Sequence, residues 1–312
     1  MGGSASYRWG RKIANARANG ATDEEIAALE RQRQDAIQQE KSRKETPKSL
    51  KKFTGYVEQA NEWYGEADEA TRKLIDEAME VFRGIVNENE FRIRVSESVL
   101  PLIFESGDIK SQIETGTSNG MNDIDERKRI SKVMFQHDGD LADDEYEKYG
   151  YLDNGTHEDM AWWYGDLDIV LKKDNLMNRT TFTLGDSLDY LTETPSFINN
   201  PLFTASGINQ AKNEARAEWF LEHMNSLKTD GRYLDDDDGY AELQYHGKVT
   251  VKDIEYISLP SDWENNPVHK PIVDLITDNG FKIKYNNHNH TRQDALGIRP
   301  YRGDKKIVRR TP

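Results

Sequence analysis

The 312-residue sequence predicts an α+β fold, a helical N-terminal extension followed by a domain of mixed or antiparallel strands. Three observations carry this reading. Apolar residues recur at helical spacing up to about residue 88, as in Leu74, Ile75, Ala78, Val81 and Phe82. Beyond Phe91 the chain carries short alternating stretches at irregular intervals, such as Phe91-Arg-Ile-Arg-Val95 and Arg179-Thr-Thr-Phe-Thr183. Strands and helices also lack the regular alternation that a doubly wound parallel sheet requires.

The elements follow in order. Thr22-Asp-Glu-Glu25 is a capping box that opens a helix through Ile26, Leu29, Arg33 and Ile37. Pro47 and the lysine-rich run Lys48–Lys52 read as a linker. A second helical region covers 53–88, first with Phe53, Tyr56, Val57 and Ala60 and then, after Gly65, with the stronger stripe from Ala70 to Phe82. A strand, Phe91–Val95, and a short helix, Val99–Phe104, follow, and the helix stops at Ser106-Gly107. Residues 108–122 are rich in Thr, Ser and Gly and read as a loop. Ile124–Phe135 reads as a helix carrying Arg127 and Arg129, and Asp138–Glu147 as an acidic loop. Tyr149–Leu152, Asp166–Lys172 and Arg179–Thr183 have strand character, and 185–205 is turn-rich. Ala211–Leu227 reads as a helix with Trp219, Phe220 and Met224 on its apolar side. The strand around Glu242 follows the acidic tip Asp235–Asp238, then a helix, Pro271–Asp278, and a last strand, Phe281–Tyr285. The tail from Asn286 is polar and basic and is expected to be disordered. Three segments result: a basic helical arm and linker over 1–52, an α+β domain over 53–285, and a tail over 286–312.

Charge separates the arm from the body. Residues 1–52 carry a net charge of +5 and the remainder −19, within a total of −14. So acidic a body offers no general nucleic-acid surface, whereas the basic arm reads first as a solvated helix and otherwise suits nucleic acid or an acidic protein. The absence of cysteine excludes disulfides and thiolate metal sites. No run approaches the ~20 apolar residues of a membrane span, so no membrane partner is expected. Met1-Gly-Gly-Ser-Ala-Ser lacks the apolar core of a secretory signal peptide.

Four segments carry candidate chemistry. In a strand, Glu242, Gln244 and His246 share one face and Leu243 and Tyr245 the other. Three hydrogen-bonding groups on one face predict the wall of a polar cleft rather than an apolar core. Arg92 and Arg94 likewise share a face opposite Ile93, where a guanidinium fork can grip phosphate or simply line an exposed edge. The Gly107–Gly120 stretch, which includes Ser118, offers hydroxyls and backbone N–H groups able to cradle a phosphate or ribose, although it has no Walker-type ending. The Arg179–Thr183 strand puts Thr181 and Thr183 on one face, where hydroxyls can orient a neighbouring carboxylate. No metal site is expected. The pair His288 and His290 lies in the tail, and Asp235–Asp238 lacks the spaced ligands, glycine and terminal Glu of an EF-hand loop.

An Arg on an early strand, a Thr/Ser strand in the middle and a Glu on a late strand resemble the Arg–Ser/Thr–Glu arrangement of ADP-ribosyltransferases. The stretch from Glu242-Leu243 to Ile254-Glu-Tyr-Ile257 is similar to the late strand of those enzymes. Over about residues 90–260 the chain also resembles a family of uncharacterised bacterial and phage-associated proteins. That second resemblance rests on Ser111–Gly120, Lys148-Tyr-Gly150, Arg179-Thr-Thr-Phe182 with Asp186-Ser187, and Glu242-Leu-Gln-Tyr-His-Gly247, and it names no activity. The first resemblance implies a mixed or antiparallel two-sheet ADP-ribosyltransferase-like domain that uses NAD. It implies that Glu242 stabilises the charge that develops on the ribose as nicotinamide leaves, by analogy with glycoside cleavage. Arg94, or alternatively Arg92, would hold the NAD phosphates or ribose. Thr181 or Thr183 would orient Glu242, Tyr149 or Tyr151 would stack on nicotinamide, and Gln244 would help position the acceptor. The chain departs from the pattern at Tyr240, where many toxins of the class carry Glu or Gln, and at Thr-Thr-Phe-Thr in place of Ser-Thr-Ser.

The expected function is thus a toxin- or effector-like ADP-ribosyltransferase that modifies a host macromolecule, a protein first of all. Residues 1–52 would attach it to a phage particle or larger assembly, so it would act in the virion or in the host or bacterial cytoplasm. The alternatives are a non-enzymatic phage minor capsid or structural protein, and a metal-dependent nuclease built on Asp166, Asp168 and Glu242.

Overall fold

In the computed structural model the chain divides into a helical unit, Met1–Pro47, and a larger unit, Lys48–Pro312. Described are residues 5–33, 47–51, 62, 64–116, 124–137, 139, 141–153, 164–184, 196–197, 218, 221–222, 224–226, 228 and 241–286. No described helix is long and apolar enough to cross a membrane.

The first unit holds a helix that sequence reading missed, Ala5–Ala18, and the expected one over 23–33. Gly20 turns the chain between them at a φ of 78°, a conformation that costs glycine little. The capping box at Thr22 forms as predicted. The Thr22 backbone N–H donates to Glu25 at 2.8 Å, and the Glu25 N–H donates to Thr22 Oγ1 at 3.3 Å. The exposed pair Arg17–Glu30, 2.8 Å apart, links the two helices.

The second unit begins inside the stretch read as linker. Lys48–Leu50 forms a 3-10 turn in which Ser49 and Leu50 are completely buried. Flanking lysines disguise this short inward-facing pair as a solvated segment. The long helix Glu69–Glu88 opens on Asp68, whose side chain accepts from the Thr71 N–H at 2.8 Å. It buries Thr71, Ile75, Ala78, Met79, Phe82, Ile85 and Val86, one stripe at i, i+3 and i+4 spacing. It ends at Asn89, whose extended backbone leads directly into the first strand.

The strands among the described residues are β1 (Glu90–Val95), β2 (Asp108–Ile109), β3 (Lys148–Asp153), β4 (Leu167–Leu171), β5 (Thr180–Leu184), β6 (Ser196–Phe197), β7 (Ala241–Tyr245), β8 (Val249–Thr250), β9 (Ile254–Pro260) and β10 (Ile283–Asn286). Eight of them form one sheet in the order β10-β9-β4-β1-β3-β7-β5-β6, and β2 pairs with β8 in a separate two-stranded ribbon. Every pair is antiparallel except β9 with β10, which the helix Lys270–Asp278 connects. The protein is therefore α+β with a mixed sheet, and among the described residues the expected second sheet is this ribbon alone.

Registers across the sheet sort the side chains into two faces. Phe91, Ile93, Val95, Leu167, Ile169, Phe182, Leu243, Tyr245 and Ile257 join Ala78, Phe82 and Ile85 of the long helix in one apolar core. Phe82 stacks on Phe182 with centroids 4.4 Å apart. Each such ring, fully buried, contributes about 1.5–3 kcal/mol by removal of apolar surface from water. The opposite face carries Arg92, Arg94, Tyr149, Tyr151, Asp168, Thr181, Thr183, Glu242 and Gln244.

Residues 108–116, expected as loop, contain β2 and a short helix, Gln112–Thr115. Ser111 and Glu114 cap that helix reciprocally, with bonds of 2.7 and 3.2 Å. The signal, Ser-x-x-Glu, is present in the sequence, but a four-residue helix has no periodicity to accompany it. The expectations at Phe53–Ala60, Trp219-Phe220, Asp235–Asp238 and the tail beyond Asn286 fall outside the described residues.

Two glycines test the packing in opposite directions. A Cβ at Gly84, on the long helix, meets nothing within 4 Å, whereas one at Gly150 meets the Arg92 carbonyl oxygen at 2.2 Å. Chemical denaturation is expected to show Gly84→Ala more stable by about 0.5–1 kcal/mol. Gly150→Ala is expected to be less stable by about 1–3 kcal/mol.

Candidate functional site

The site lies where the sheet opens. β1 and β3 pair only at Glu90↔Asp153, Phe91↔Leu152 and Arg92↔Tyr151. Beyond that point β1 stays with β4 as far as Val95↔Leu167, and β3 stays with β7 as far as Lys148↔Tyr245. The two strands therefore part after Arg92, and a cavity of about 820 Å³ occupies the wedge. Its wall includes Arg94 from one side of the split and Tyr149, Tyr151 and Glu242 from the other. Gly150 lets the strands meet before they part. With no side chain there, Tyr245 lies against it, and the Tyr245 hydroxyl donates to the Arg92 carbonyl at 3.3 Å.

One carboxylate organises the arginines. Asp168 Oδ2 accepts from Arg92 Nη1 at 3.1 Å and from Arg94 Nη1 at 3.2 Å, and Oδ1 accepts from the Tyr151 hydroxyl at 2.9 Å. Arg92 is drawn further into carboxylates, with Glu90 at 2.7 Å and Asp153 at 2.8 Å. Burial opposes its charge, but Asp168, Tyr151, Asp153 and Glu90 together hold the guanidinium above its usual range. Arg92 does not reach the cavity wall; Arg94 does, while its Nε donates to the Gly165 carbonyl at 3.1 Å. Of the two arginines read from the sequence, Arg94 is thus the one that faces the wedge.

Glu242 is 5% exposed and held from its own strand and from β5. Its Oε1 accepts from Gln244 Nε2 at 2.9 Å, with the Thr183 hydroxyl at 3.5 Å. Gln244 Nε2 also donates to Thr183 Oγ1 at 3.0 Å, and Gln244 Oε1 accepts from the Thr181 hydroxyl at 2.9 Å. Thr183 therefore meets Glu242 directly, and Thr181 reaches it through Gln244. Both ends of the Gln244 amide are engaged in holding Glu242 and the threonines, a different placement from an acceptor-contacting side chain.

Sequence reading missed a second carboxylate. Glu147 lines the same cavity, its Oε1 accepting from the Tyr149 hydroxyl and its Oε2 from the Ser131 hydroxyl, each at 2.8 Å. Burial raises its pKa against the pull of those donors. Burial likewise raises the Tyr149 phenol well above its usual value, reinforced by Glu147 and Glu242. In the sequence Glu147 reads as the end of an acidic loop because it closes the run from Asp138. Lys148, whose Nζ pairs with Glu114 at 3.1 Å, and Arg127, whose guanidinium lies 5.8 Å from the centre of the Tyr149 ring, add to the charged part of the wall, which also includes Glu105, Asp108, Lys110 and Glu114.

The remaining candidates divide. Ser118, Asp186, Ser187, His288 and His290 lie outside the described residues. Among the described residues no group of three His, Asp or Glu side chains is arranged to hold a metal ion. Asp168 spends its oxygens on two guanidinium groups and a phenol, and Asp166 accepts from the Glu97 N–H at 3.3 Å. The cluster of Asp166, Asp168 and Glu242 that a nuclease would use does not form.

No protein-family model matches the chain, and no curated protein matches it.

Two outcomes follow from these contacts. Asp168→Ala removes the carboxylate that Arg92 and Arg94 share and is expected to destabilise the protein by about 3–5 kcal/mol in denaturant titration. Glu147 is a carboxyl group whose folded pKa stands above the unfolded 4.5. Its contribution to stability is complete below that pH and is lost as pH rises through the folded pKa. Glu147→Gln is expected to lack that loss. Its urea midpoint relative to the unsubstituted protein should climb from pH 4.5 upward and then level off.

Proposed function

We propose that the chain is an NAD-dependent ADP-ribosyltransferase whose donor site is the wedge between β1 and β3. The observation that supports this reading is that Arg94 and Glu242, brought from strands far apart in sequence, line one cavity together with Tyr149 and Tyr151. A protein with a purely structural role has no need for a buried carboxylate and an arginine facing one wedge.

The wall suits the dinucleotide. Its volume of about 820 Å³ falls within the range of ~300–1,000 Å³ usual for small-molecule and cofactor sites. Arg94 and Arg127 supply the guanidinium groups that a diphosphate prefers. Gln112 Oε1, on the same wall, is a buried acceptor with no hydrogen-bond partner and so suits a ligand N–H or hydroxyl.

NAD would supply an ADP-ribosyl group joined to nicotinamide, a good leaving group whose departure builds positive charge on the ribose. Glu242 provides a fixed negative charge for that moment. Gln244 and Thr183 hold it in place, so little reorganisation is needed as the charge appears. Arg94, anchored on Asp168, binds the diphosphate or ribose. Tyr149 and Tyr151 present aromatic rings tethered through their hydroxyls to Glu147 and Asp168. The acceptor is a host macromolecule, most simply a protein. The basic residues 1–52 attach the chain to a phage particle or other larger assembly.

Nicotinamide release from NAD by the full chain tests the reading. Glu242→Gln is expected to lower the rate by about 10²–10³-fold while leaving the circular dichroism unchanged. Unchanged turnover in that variant, or none in the unsubstituted protein with or without a chelator, would overturn it.

A further inference from the structure

We propose that His246 is a positioning residue for Glu242, acting through Thr181 and Gln244, with Ser49 selecting the tautomer that makes this work. The proposal rests on the reading of Glu242 as the charge-stabilising carboxylate, and it gives a role to His246, which shares a strand face with Glu242 and Gln244.

Four buried contacts connect these groups. Ser49 Oγ lies 2.9 Å from His246 Nδ1, and His246 Nε2 lies 2.9 Å from Thr181 Oγ1. Thr181 Oγ1 lies 2.9 Å from Gln244 Oε1, and Gln244 Nε2 lies 2.9 Å from Glu242 Oε1. Ser49, Thr181, Gln244 and His246 are all fully buried, so water cannot substitute for a missing partner.

Counting protons then fixes the direction of the whole chain. A carboxylate only accepts, so Gln244 must turn its NH₂ toward Glu242 and its carbonyl toward Thr181. The single hydroxyl proton of Thr181 goes to that carbonyl, and Thr181 must accept from His246. His246 therefore carries its proton on Nε2, leaves Nδ1 as an acceptor, and takes the hydroxyl proton of Ser49 there. The opposite tautomer would make Nε2 an acceptor and claim the Thr181 proton. Gln244 would then lose its donor and would be free to turn its carbonyl toward Glu242, where two acceptors would repel. The choice of nitrogen at His246 thus settles whether Gln244, which holds Glu242, keeps the Thr181 donor that fixes its carbonyl.

The surroundings keep the ring neutral and still. Burial, with Lys148, Arg179 and His137 nearby, holds the imidazole well below its usual pKa. The Phe135 ring meets it edge-on at 4.5 Å. The backbone around it is clamped as well, the His246 N–H donating to the Arg179 carbonyl at 2.9 Å and Arg179 Nη1 donating to the His246 carbonyl at 2.7 Å. Ser49 comes from the turn Lys48–Leu50, so the segment that enters the larger unit also closes the back of the site.

The test combines nitrogen-15 NMR of the full chain with nicotinamide-release kinetics. The ring of His246 is expected to show Nε2 protonated and Nδ1 not, and Ser49→Ala to give a mixture of both forms. In kinetics, His246→Leu and Thr181→Val should each lower kcat by about 10–100-fold with KM nearly unchanged. Together they should cost no more than either alone, because they break the same chain. His246→Gln, whose amide can donate to Thr181, should recover most of kcat; it also serves if the leucine variant does not fold. An Nδ1-protonated ring with turnover intact would overturn the proposal alone, as would kcat within twofold of the unsubstituted protein in folded His246→Leu. An Nε2-protonated ring in a protein that releases no nicotinamide would instead overturn the functional reading, and the proposal with it.

Discussion

Asp168 is the constraint on which the sheet turns. It lies on β4 and accepts from Arg92 and Arg94 of β1 and from Tyr151 of β3, so one carboxylate ties three strands together at the point where β1 and β3 separate. Two buried guanidinium groups without it would have no charge partner common to both. With it, Arg92 is turned inward to further carboxylates, and Arg94 is held at the edge of the wedge. A buried charge must be paired to be tolerated, and here the pairing also aims a side chain.

The two faces of the sheet divide stability from chemistry. The apolar face packs on the long helix through contacts such as Phe82 with Phe182 and resembles any close-packed interior. The polar face is almost as deeply buried, but most of its groups are paired with one another. Ser131, Glu147 and Tyr149 form one hydrogen-bonded chain, and Ser49, His246, Thr181, Gln244 and Glu242 form another. Each places a carboxylate on the same cavity wall. Networks of this kind hold only when every member is satisfied, which fixes the orientation of each group more narrowly than apolar packing does.

Much of this was legible residue by residue. The pleat alone places Glu242 and Gln244 opposite Leu243 and Tyr245, Arg92 and Arg94 opposite Ile93, and Thr181 and Thr183 opposite Phe182. The capping box at Thr22 and the stripe through Ile75, Ala78 and Phe82 were equally plain. Other features were hidden for physical reasons. The Gln112–Thr115 helix is too short to show a period. Ser49 stands among lysines, and Glu147 at the end of an acidic run. Asp166 and Asp168 read as a metal pair because nothing nearby in sequence announces that Arg92 and Arg94 will reach Asp168.

By itself the sequence determined which side chains share a face, where the long helix runs and which of its sides is apolar, because these depend on residues two to four positions apart. It also excluded thiol chemistry outright. Only the tertiary structure decided where β1 leaves β3, which arginine faces the opening, and which hydroxyls meet the two ring nitrogens of His246. Those outcomes depend on partners brought together from distant parts of the chain, and no local spacing encodes the register in which they meet.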